Sequence, residues 1–224
     1  MNAAEVRAAS RLRREGGLGA FCAFAHPTVL RALVVVCAAL VSSTNARGAD
    51  AAAGKAKAEI CAGCHGDNGI SQTENIPSLA GQPDQFIQWQ LVFFRTGSRK
   101  NEQMQPIVEE ITNEDIRNLG AYFSSLAPPK VASDDDPGLS KKGAQAAVGR
   151  RCASCHGDDY AGTKAVARLA GQREEYLVKA LHDYKDGHRV GGGVAAMADV
   201  AYHLNDEEIT ALAHYLSYLP QSLQ

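Results

Sequence analysis

Aromatic residues are scarce in this sequence, and neither sign of charge is in excess. Only 6% of the 224 residues are aromatic, one of them tryptophan, and 23 Lys and Arg stand against 25 Asp and Glu, for a formal net charge of −2. Nucleic-acid-binding proteins need a basic surface, so we expect no nucleic-acid partner. With 45% hydrophobic and 21% charged residues, the chain also lacks the composition of a disordered or a polytopic membrane protein.

The amino-terminal region has the features of a targeting segment. Arginines outnumber acidic residues in the first 31 positions, and Arg31 is the only charged residue in the apolar run from Val29 to Val41. Such a run is too short to span a bilayer comfortably and is typical of a signal-peptide core. We predict a leader over residues 1–46 and export to the periplasm. An uncleaved anchor is the alternative, and the long basic stretch leaves the true start codon open.

After the leader, the sequence contains two copies of one repeated unit. The segment CAGCH at 61–65 recurs as CASCH at 152–156, LAGQ at 79–82 recurs at 169–172, and Met104 aligns with Met197. A repeat of this kind indicates two homologous domains. We predict them at residues 47–130, called here the first copy, and 131–224, the second copy. Between them, Pro128, Pro129 and the acidic triplet at 134–136 are typical of a solvated linker or a helix start.

Within each copy, apolar residues recur at helical spacing. One helix is predicted after each LAGQ segment, ending near Gly97 and Gly187. A second is predicted to begin at Thr112 and at Asn205, because each has an acidic residue three positions on, as in a capping box. No convincing period-two strand pattern is present. The predicted apolar stripes of the last helices are Ile116, Leu119, Tyr122, Phe123 and Leu126 in the first copy and Ile209, Leu212, Tyr215, Leu216 and Leu219 in the second.

The pattern Cys-x-x-Cys-His occurs once per copy. On a helical turn, positions i, i+3 and i+4 share a face, so both thiols and the imidazole can meet one flat ligand. This predicts covalent haem, with thioethers from the cysteines and iron bound by the histidine. Zinc, a redox-active dithiol and disulfides are the competing interpretations. The predicted ligands are Cys61, Cys64 and His65 in the first copy and Cys152, Cys155 and His156 in the second.

Methionine is the candidate for the sixth iron ligand. Apart from Met1, the only methionines are Met104 and Met197, one per copy and aligned with each other. We predict axial ligation by both, because each copy has one methionine, the two align, and a thioether can bind haem iron opposite a histidine. The alternatives for the second iron are the histidines that have no counterpart in the first copy, which are His182, His188, His203 and His214.

These motifs resemble those of class I c-type cytochromes, and their tandem layout resembles that of the dihaem cytochrome c4 family and of the cytochrome subunits of flavocytochrome c. The resemblance covers nearly all of the chain after the leader: Cys-x-x-Cys-His followed by Gly, the LAGQ segment, the Met region and the terminal amphipathic helix. It implies an all-α fold of two tandem class I cytochrome c domains, each wrapped around one covalently bound haem c.

The resemblance also implies a hydrogen bond from the iron-binding histidine to a proline carbonyl. Pro77 matches that proline, whereas the second copy has Ala167, which keeps the carbonyl but not the rigid φ. Arg99 and Arg189 are candidates for pairing with haem propionates, with solvent exposure as the alternative. Trp89 has Lys179 as its counterpart, and this asymmetry predicts packing against the other copy or in the core.

Histidine on one face of each iron and methionine on the other would leave no open coordination position. We therefore expect an electron carrier and not an enzyme. The resemblance implies its partners: it would link a quinol-oxidising complex or dehydrogenase to a terminal oxidase or reductase, with peripheral membrane association possible. Two alternatives stay open. One is the electron-accepting cytochrome subunit of a dehydrogenase, and the other is a dihaem peroxidase or thiosulfate-oxidising enzyme with one labile ligand.

Overall fold

A computed structural model describes residues 48–190 and 195–219; the predicted leader, residues 1–46, lies outside them. Helices are the only regular secondary structure in these ranges, apart from one isolated β-bridge between Thr163 and Val166. None of the helices in the described ranges is long and apolar enough to cross a membrane. In chain order the helices are α1 (Ala51–Lys57), α2 (Glu59–His65), α3 (Asp84–Arg95), α4 (Met104–Glu109), α5 (Asn113–Ser125), α6 (Pro137–Gly149), α7 (Ala153–His156), α8 (Glu174–Lys185), α9 (Ala195–Tyr202) and α10 (Asp206–Ser217).

The last helix of each copy begins where the sequence predicts. Thr112 caps α5 and Asn205 caps α10, and in both cases the acidic residue three positions on bonds back to the cap in a complete capping box. The helices after the LAGQ segments, α3 and α8, are followed by Gly97 and Gly187, whose φ angles of 73° and 74° suit glycine. The predicted helices are therefore confirmed in both copies.

Each copy closes by packing its first helix across its last helix. In the first copy α1 crosses α5, and in the second α6 crosses α10. Gly54 and Gly143 lie at these crossings, and a Cβ at either position would clash with the backbone of the opposing helix, at Asn118 or Ala211. The helices approach this closely because glycine has no side chain. The predicted stripes face inward here, and each copy has its own apolar core.

The two copies also contact each other through polar atoms. The backbone N–H of Phe86, in the first turn of α3, donates to the Lys164 carbonyl at 3.0 Å. Arg173 donates to the Ser71 carbonyl at 3.0 Å. The glutamines of the two LAGQ segments, Gln82 and Gln172, each reach across to the backbone of the other copy. Both copies belong to one compact unit spanning Arg47–Gln224.

Candidate functional site

Both Cys-x-x-Cys-His segments lie on short helices that end at the histidine. In the first copy α2 ends at His65 and is followed by Gly66, whose φ is 80°. A side chain at Gly66 would clash with the carbonyl of Ile70, so the turn that ends the helix requires glycine. Gly157 follows α7 in the same way, with φ 84°. The histidines are buried, and in each copy one cysteine is half-buried and the other is exposed.

The hydrogen bonds of the two histidines define which ring nitrogen is free. Nδ1 of His65 lies 2.8 Å from the Pro77 carbonyl oxygen, and Nδ1 of His156 lies 2.8 Å from that of Ala167. A carbonyl only accepts, so Nδ1 carries the proton in both rings and Nε2 keeps its lone pair for a metal. The second copy makes the bond at the same length without the proline. Burial lowers the pKa of both His65 and His156, which favours the neutral, ligating form.

Both methionines face the same cavity as the histidines. Met104 is the first residue of α4, where the Asn101 side chain accepts from its backbone N–H at 2.9 Å. Met197 lies in α9. A cavity of about 490 Å³ is lined by His65, Met104, His156 and Met197 together with residues from both copies. Each predicted axial pair therefore borders one continuous space.

The cysteine environment argues against the competing interpretations of the motif. The thiols at 61, 64, 152 and 155 are all free, so no disulfide joins them. Burial, with the neighbouring Cys64, raises the pKa of Cys61 to about 11, and burial also raises the pKa of Cys152. A redox-active dithiol instead needs a lowered thiol pKa. Within residues 48–190 and 195–219, the one group of three or more potential metal ligands is Asp134, Asp135 and His214, and none of the cysteines belongs to it.

The cavity also carries the positive charge that an anionic cofactor needs. Arg99 lies over the Phe94 ring at 4.4 Å and Arg189 over the Tyr184 ring at 4.5 Å. Arg189 is buried, and its Nε has no hydrogen-bond partner in the protein. A buried, unpaired guanidinium N–H calls for a partner such as a haem propionate. Together with the apolar lining, the two thiols and a free imidazole nitrogen in each copy, these residues fit haem.

The histidines considered as alternative ligands have other surroundings. His188 lines the cavity but is exposed. Both ring nitrogens of His214 lie 3.1 Å from carboxylate oxygens, of Glu174 and Asp134, so neither is free for iron. His182 and His203 are not among the described residues that line the cavity. Among the candidate ligands of the second iron, Met197 is the one whose first-copy counterpart, Met104, also lines the cavity.

Sequence reasoning missed or misplaced several residues around the cavity. Trp89 is not buried in a core: it is 49% exposed, and its ring stacks on Phe93 one helical turn on. Gln90 is not among the residues that the sequence predicts for the site, but its Oε1 accepts from Arg99 and from Arg189, both at 2.7 Å. Tyr176 also bonds Arg99, at 3.2 Å; burial raises its pKa, and the two arginines outweigh this to bring the pKa to about 8.

Comparisons with known proteins match both halves of the described chain. A cytochrome c family model matches residues 140–220, and a model described as cytochrome C oxidase, cbb3-type, subunit III matches residues 49–123. Cytochrome c4 of Pseudomonas aeruginosa is 31% identical over 179 residues, covering 76% of this chain and 89% of that protein. A thiosulfate dehydrogenase electron acceptor of Thiomonas intermedia is 30% identical over 186 residues, covering 76% of this chain and 83% of that protein.

A solved structure has the same fold. The crystal structure of reduced recombinant cytochrome c4 from Pseudomonas stutzeri superimposes with a TM-score of 0.71 at 30% identity, covering 77% of this chain and all of that one. With two matched cytochrome c domains and a Cys-x-x-Cys-His motif in each, this all-α protein is an electron-transfer cytochrome that carries two covalently bound haem c groups. The chain belongs to the cytochrome c4 family.

Proposed function

We propose that His65 and Met104 are the axial ligands of the first haem and that His156 and Met197 are those of the second. One observation carries this assignment: each histidine has a free Nε2 and lines the same cavity as the methionine of its own copy. The Nδ1–H bonds to the Pro77 and Ala167 carbonyls orient the two rings and increase the basicity of Nε2. Methionine as the partner ligand favours the reduced iron and a raised potential.

Filled axial positions make the protein an electron carrier and not an enzyme. Bound haem supplies reversible one-electron oxidation and reduction. With a side chain on each face of both irons, no coordination position would remain for oxygen, peroxide or another small substrate. The residues lining the cavity would surround the macrocycles with apolar atoms, and Arg99 and Arg189 would supply positive charge there. These side chains exclude water and hold charge, and none of them needs to react.

The protein acts in the periplasm, between a quinol-oxidising complex or a dehydrogenase as donor and a terminal oxidase or reductase as acceptor. The basic and apolar leader over residues 1–46 supports export, and two cytochrome domains, 47–130 and 131–224, provide one haem each. Family membership supports electron transfer, while the donor and acceptor follow from the place of such carriers in respiratory chains.

A second candidate function is that of electron acceptor for a dehydrogenase, in which the protein stays bound to the dehydrogenase as a subunit. This candidate is favoured by relatives named thiosulfate dehydrogenase electron acceptor, in Thiomonas intermedia and in a strain of Stutzerimonas stutzeri. The two candidates differ in the lifetime of the complex. A free carrier purifies alone, whereas a subunit purifies with its dehydrogenase in fixed stoichiometry.

A redox titration followed by visible and near-infrared spectra tests the proposal. We expect two one-electron steps, low-spin spectra at both irons, and a sulfur-to-iron charge-transfer band for each oxidised haem. A high-spin component, or rapid cyanide binding to the oxidised protein, would contradict methionine ligation and would favour an enzyme. Pull-down of the tagged protein from its own periplasm separates the carrier from the dehydrogenase subunit.

A further inference from the structure

The glutamines of the two LAGQ segments cross between the copies. Gln82 and Gln172 are buried, with 4% and 5% of their surfaces exposed. The Gln172 amide accepts from the Ser78 backbone N–H at 2.8 Å and donates to the Ser78 carbonyl at 2.9 Å. The Gln82 amide accepts from the Arg168 N–H at 3.0 Å and donates to the Arg168 carbonyl at 2.9 Å. Each copy therefore holds one backbone residue of the other copy by two hydrogen bonds.

The residue held in this way follows the carbonyl that orients the iron-binding histidine. Pro77 and Ser78 share one peptide group, whose oxygen accepts from His65 and whose N–H donates to Gln172. The corresponding peptide group of the second copy joins Ala167 to Arg168. Described peptide bonds include no cis bond, and in a trans peptide the oxygen and the N–H point to opposite sides. One side thus faces the histidine and the other faces the opposite copy.

Hydrogen bonds in series polarise one another. An acceptor on the N–H of a peptide group increases the negative charge on its carbonyl oxygen, which strengthens the bond that the oxygen accepts. A stronger bond at Nδ1–H makes the imidazole a better electron donor at Nε2. An electron-rich ligand stabilises oxidised iron and so lowers the reduction potential.

We propose that Gln172 is a positioning residue for the haem bound by His65 and that Gln82 is one for the haem bound by His156, so that each copy tunes the potential of the other through its proximal histidine. This inference rests on the axial ligation proposed above. It assigns a role to the LAGQ repeat beyond joining the two copies. If the inference is correct, any change in how the two copies dock also changes both reduction potentials.

The test compares Gln172→Leu with Gln82→Leu in the holoprotein. Leucine removes the amide at similar volume, so the peptide group whose Pro77 carbonyl accepts from His65 loses its polarising partner in the first variant. In the second variant, the peptide group whose Ala167 carbonyl accepts from His156 loses it. We expect Gln172→Leu to increase the equilibrium constant for reduction of the first-copy haem about threefold, or about 28 mV for one electron. Gln82→Leu should do the same for the second-copy haem. Met104→Ala and Met197→Ala assign the two redox steps, since each changes the step of one haem.

Each variant serves as the control for the other, because both remove two bonds from the same interface. A larger shift in the opposite copy's haem supports the proposal. Equal shifts of both haems, a shift confined to the variant's own copy, or no shift would overturn it. Gln172→Glu keeps an acceptor for the Ser78 N–H and should not raise the first-copy potential, which provides a milder variant if leucine prevents folding.

A second readout does not depend on the potential. In the reduced, diamagnetic protein, the Nδ1–H proton resonance of His65 should move upfield and exchange faster in Gln172→Leu, while that of His156 stays unchanged. Intact low-spin spectra with unmoved resonances would contradict the cross-copy effect but leave the ligand assignment standing. A wild-type protein that does not show low-spin spectra at both irons would instead contradict the ligand assignment.

Discussion

Arg99 and Arg189, one from each copy, donate to the same oxygen. Both guanidinium groups lie 2.7 Å from Oε1 of Gln90, and Arg99 also bonds the Tyr176 hydroxyl at 3.2 Å. Burial lowers the pKa of Arg99, and the nearby Arg189 lowers it further. Within the described residues, the two guanidinium groups donate hydrogen bonds to Gln90 and Tyr176, which are both uncharged acceptors. Two cations brought together in a cavity of this kind indicate an anionic ligand between the copies, as the haem propionates would provide.

Replacing Arg189 should therefore lower the reduction potential. A nearby positive charge favours the reduced form, because reduction removes one positive charge from the iron. For Arg189→Gln we expect the equilibrium constant for reduction of the second-copy haem to fall about tenfold, or about 59 mV for one electron. The measurement is a redox titration at low ionic strength.

Arg95→Gln is the matched control for this charge change. Arg95 ends α3 and bonds Asn113 at 2.6 Å, and it is not among the described residues that line the cavity. Its loss should leave both potentials nearly unchanged. Equal effects of the two substitutions would show that Arg189 acts only through the net charge of the protein.

Removing one methionine should open one iron and leave the other closed. In Met197→Ala the second-copy haem should bind added cyanide or imidazole rapidly and lose its sulfur-to-iron band. The first-copy haem should keep its spectrum, because Met104 lies on a separate helix, α4. Stopped-flow ligand binding with near-infrared spectra measures both effects. An unaltered second haem in this variant would assign its ligand to a histidine, for which exposed His188 is the candidate lining the cavity.

The cofactor residues are predictable from the sequence because covalent chemistry constrains their spacing. Cys61, Cys64 and His65 must share one helical face, and that requirement is visible in five consecutive letters. The capping boxes at Thr112 and Asn205 are equally local. Alignment of the copies then adds the methionines as proposed ligands, because two homologous domains are expected to use the same type of ligand. Each of these predictions uses short spacing or internal repetition.

Contacts between the copies could not be predicted in the same way. The bond between Gln172 and Ser78 joins residues 94 positions apart, and the bond between Gln82 and Arg168 joins residues 86 apart. The LAGQ repeat identifies these glutamines as equivalent but carries no information on what they touch. Trp89 misleads for another reason: a large aromatic predicts burial, yet this one stays 49% exposed and stacks on a residue of its own helix, Phe93.

Replacement of glycine by alanine should have opposite effects on stability at two positions of α6, one at the helix crossing and one away from it. Gly143→Ala should reduce the free energy of unfolding by about 1–3 kcal/mol, because the added methyl group clashes with the α10 backbone at Ala211. Gly54→Ala should act similarly in the first copy, against α5. Gly149→Ala has nothing within 4 Å of the new Cβ and should increase stability by about 0.5–1 kcal/mol. Urea unfolding of the holoprotein, followed by circular dichroism, measures all three; similar losses at Gly143 and Gly149 would contradict close helix contact as the cause.

His214 is buried, although it has no histidine counterpart in the first copy. The ring is 4% exposed, and it connects the region between the copies to α8 and α10. Nε2 lies 3.1 Å from Asp134 and 3.9 Å from Asp135, and Nδ1 lies 3.1 Å from Glu174. Tyr218 packs on the ring, with the centroids 4.6 Å apart. Only the doubly protonated ring can donate to carboxylates on both sides.

This arrangement predicts that the second copy loses stability as the pH rises. Burial alone lowers the pKa of His214, but the hydrogen bonds and charges of Asp134 and Glu174 outweigh burial and raise the pKa above its ordinary value of 6.5. A group whose pKa is raised in the folded state stabilises that state fully below its unfolded pKa and loses the effect as the pH rises through its folded pKa. The free energy of unfolding should therefore fall above about pH 6.5.

Comparison with His214→Leu isolates this contribution from other titrating groups. We expect wild type to lose more stability than the variant between about pH 6.5 and pH 9, because leucine has no proton to release. Urea unfolding of the reduced holoprotein, with the proposed Met197 ligation monitored by the visible spectrum of the second haem, measures the difference at each pH. Asp134→Asn should lower the pKa of His214 and move the loss of stability to lower pH. A constant difference between wild type and His214→Leu across this range would show that the ring is neutral in the folded protein, in which case it can donate to only one of the two carboxylates.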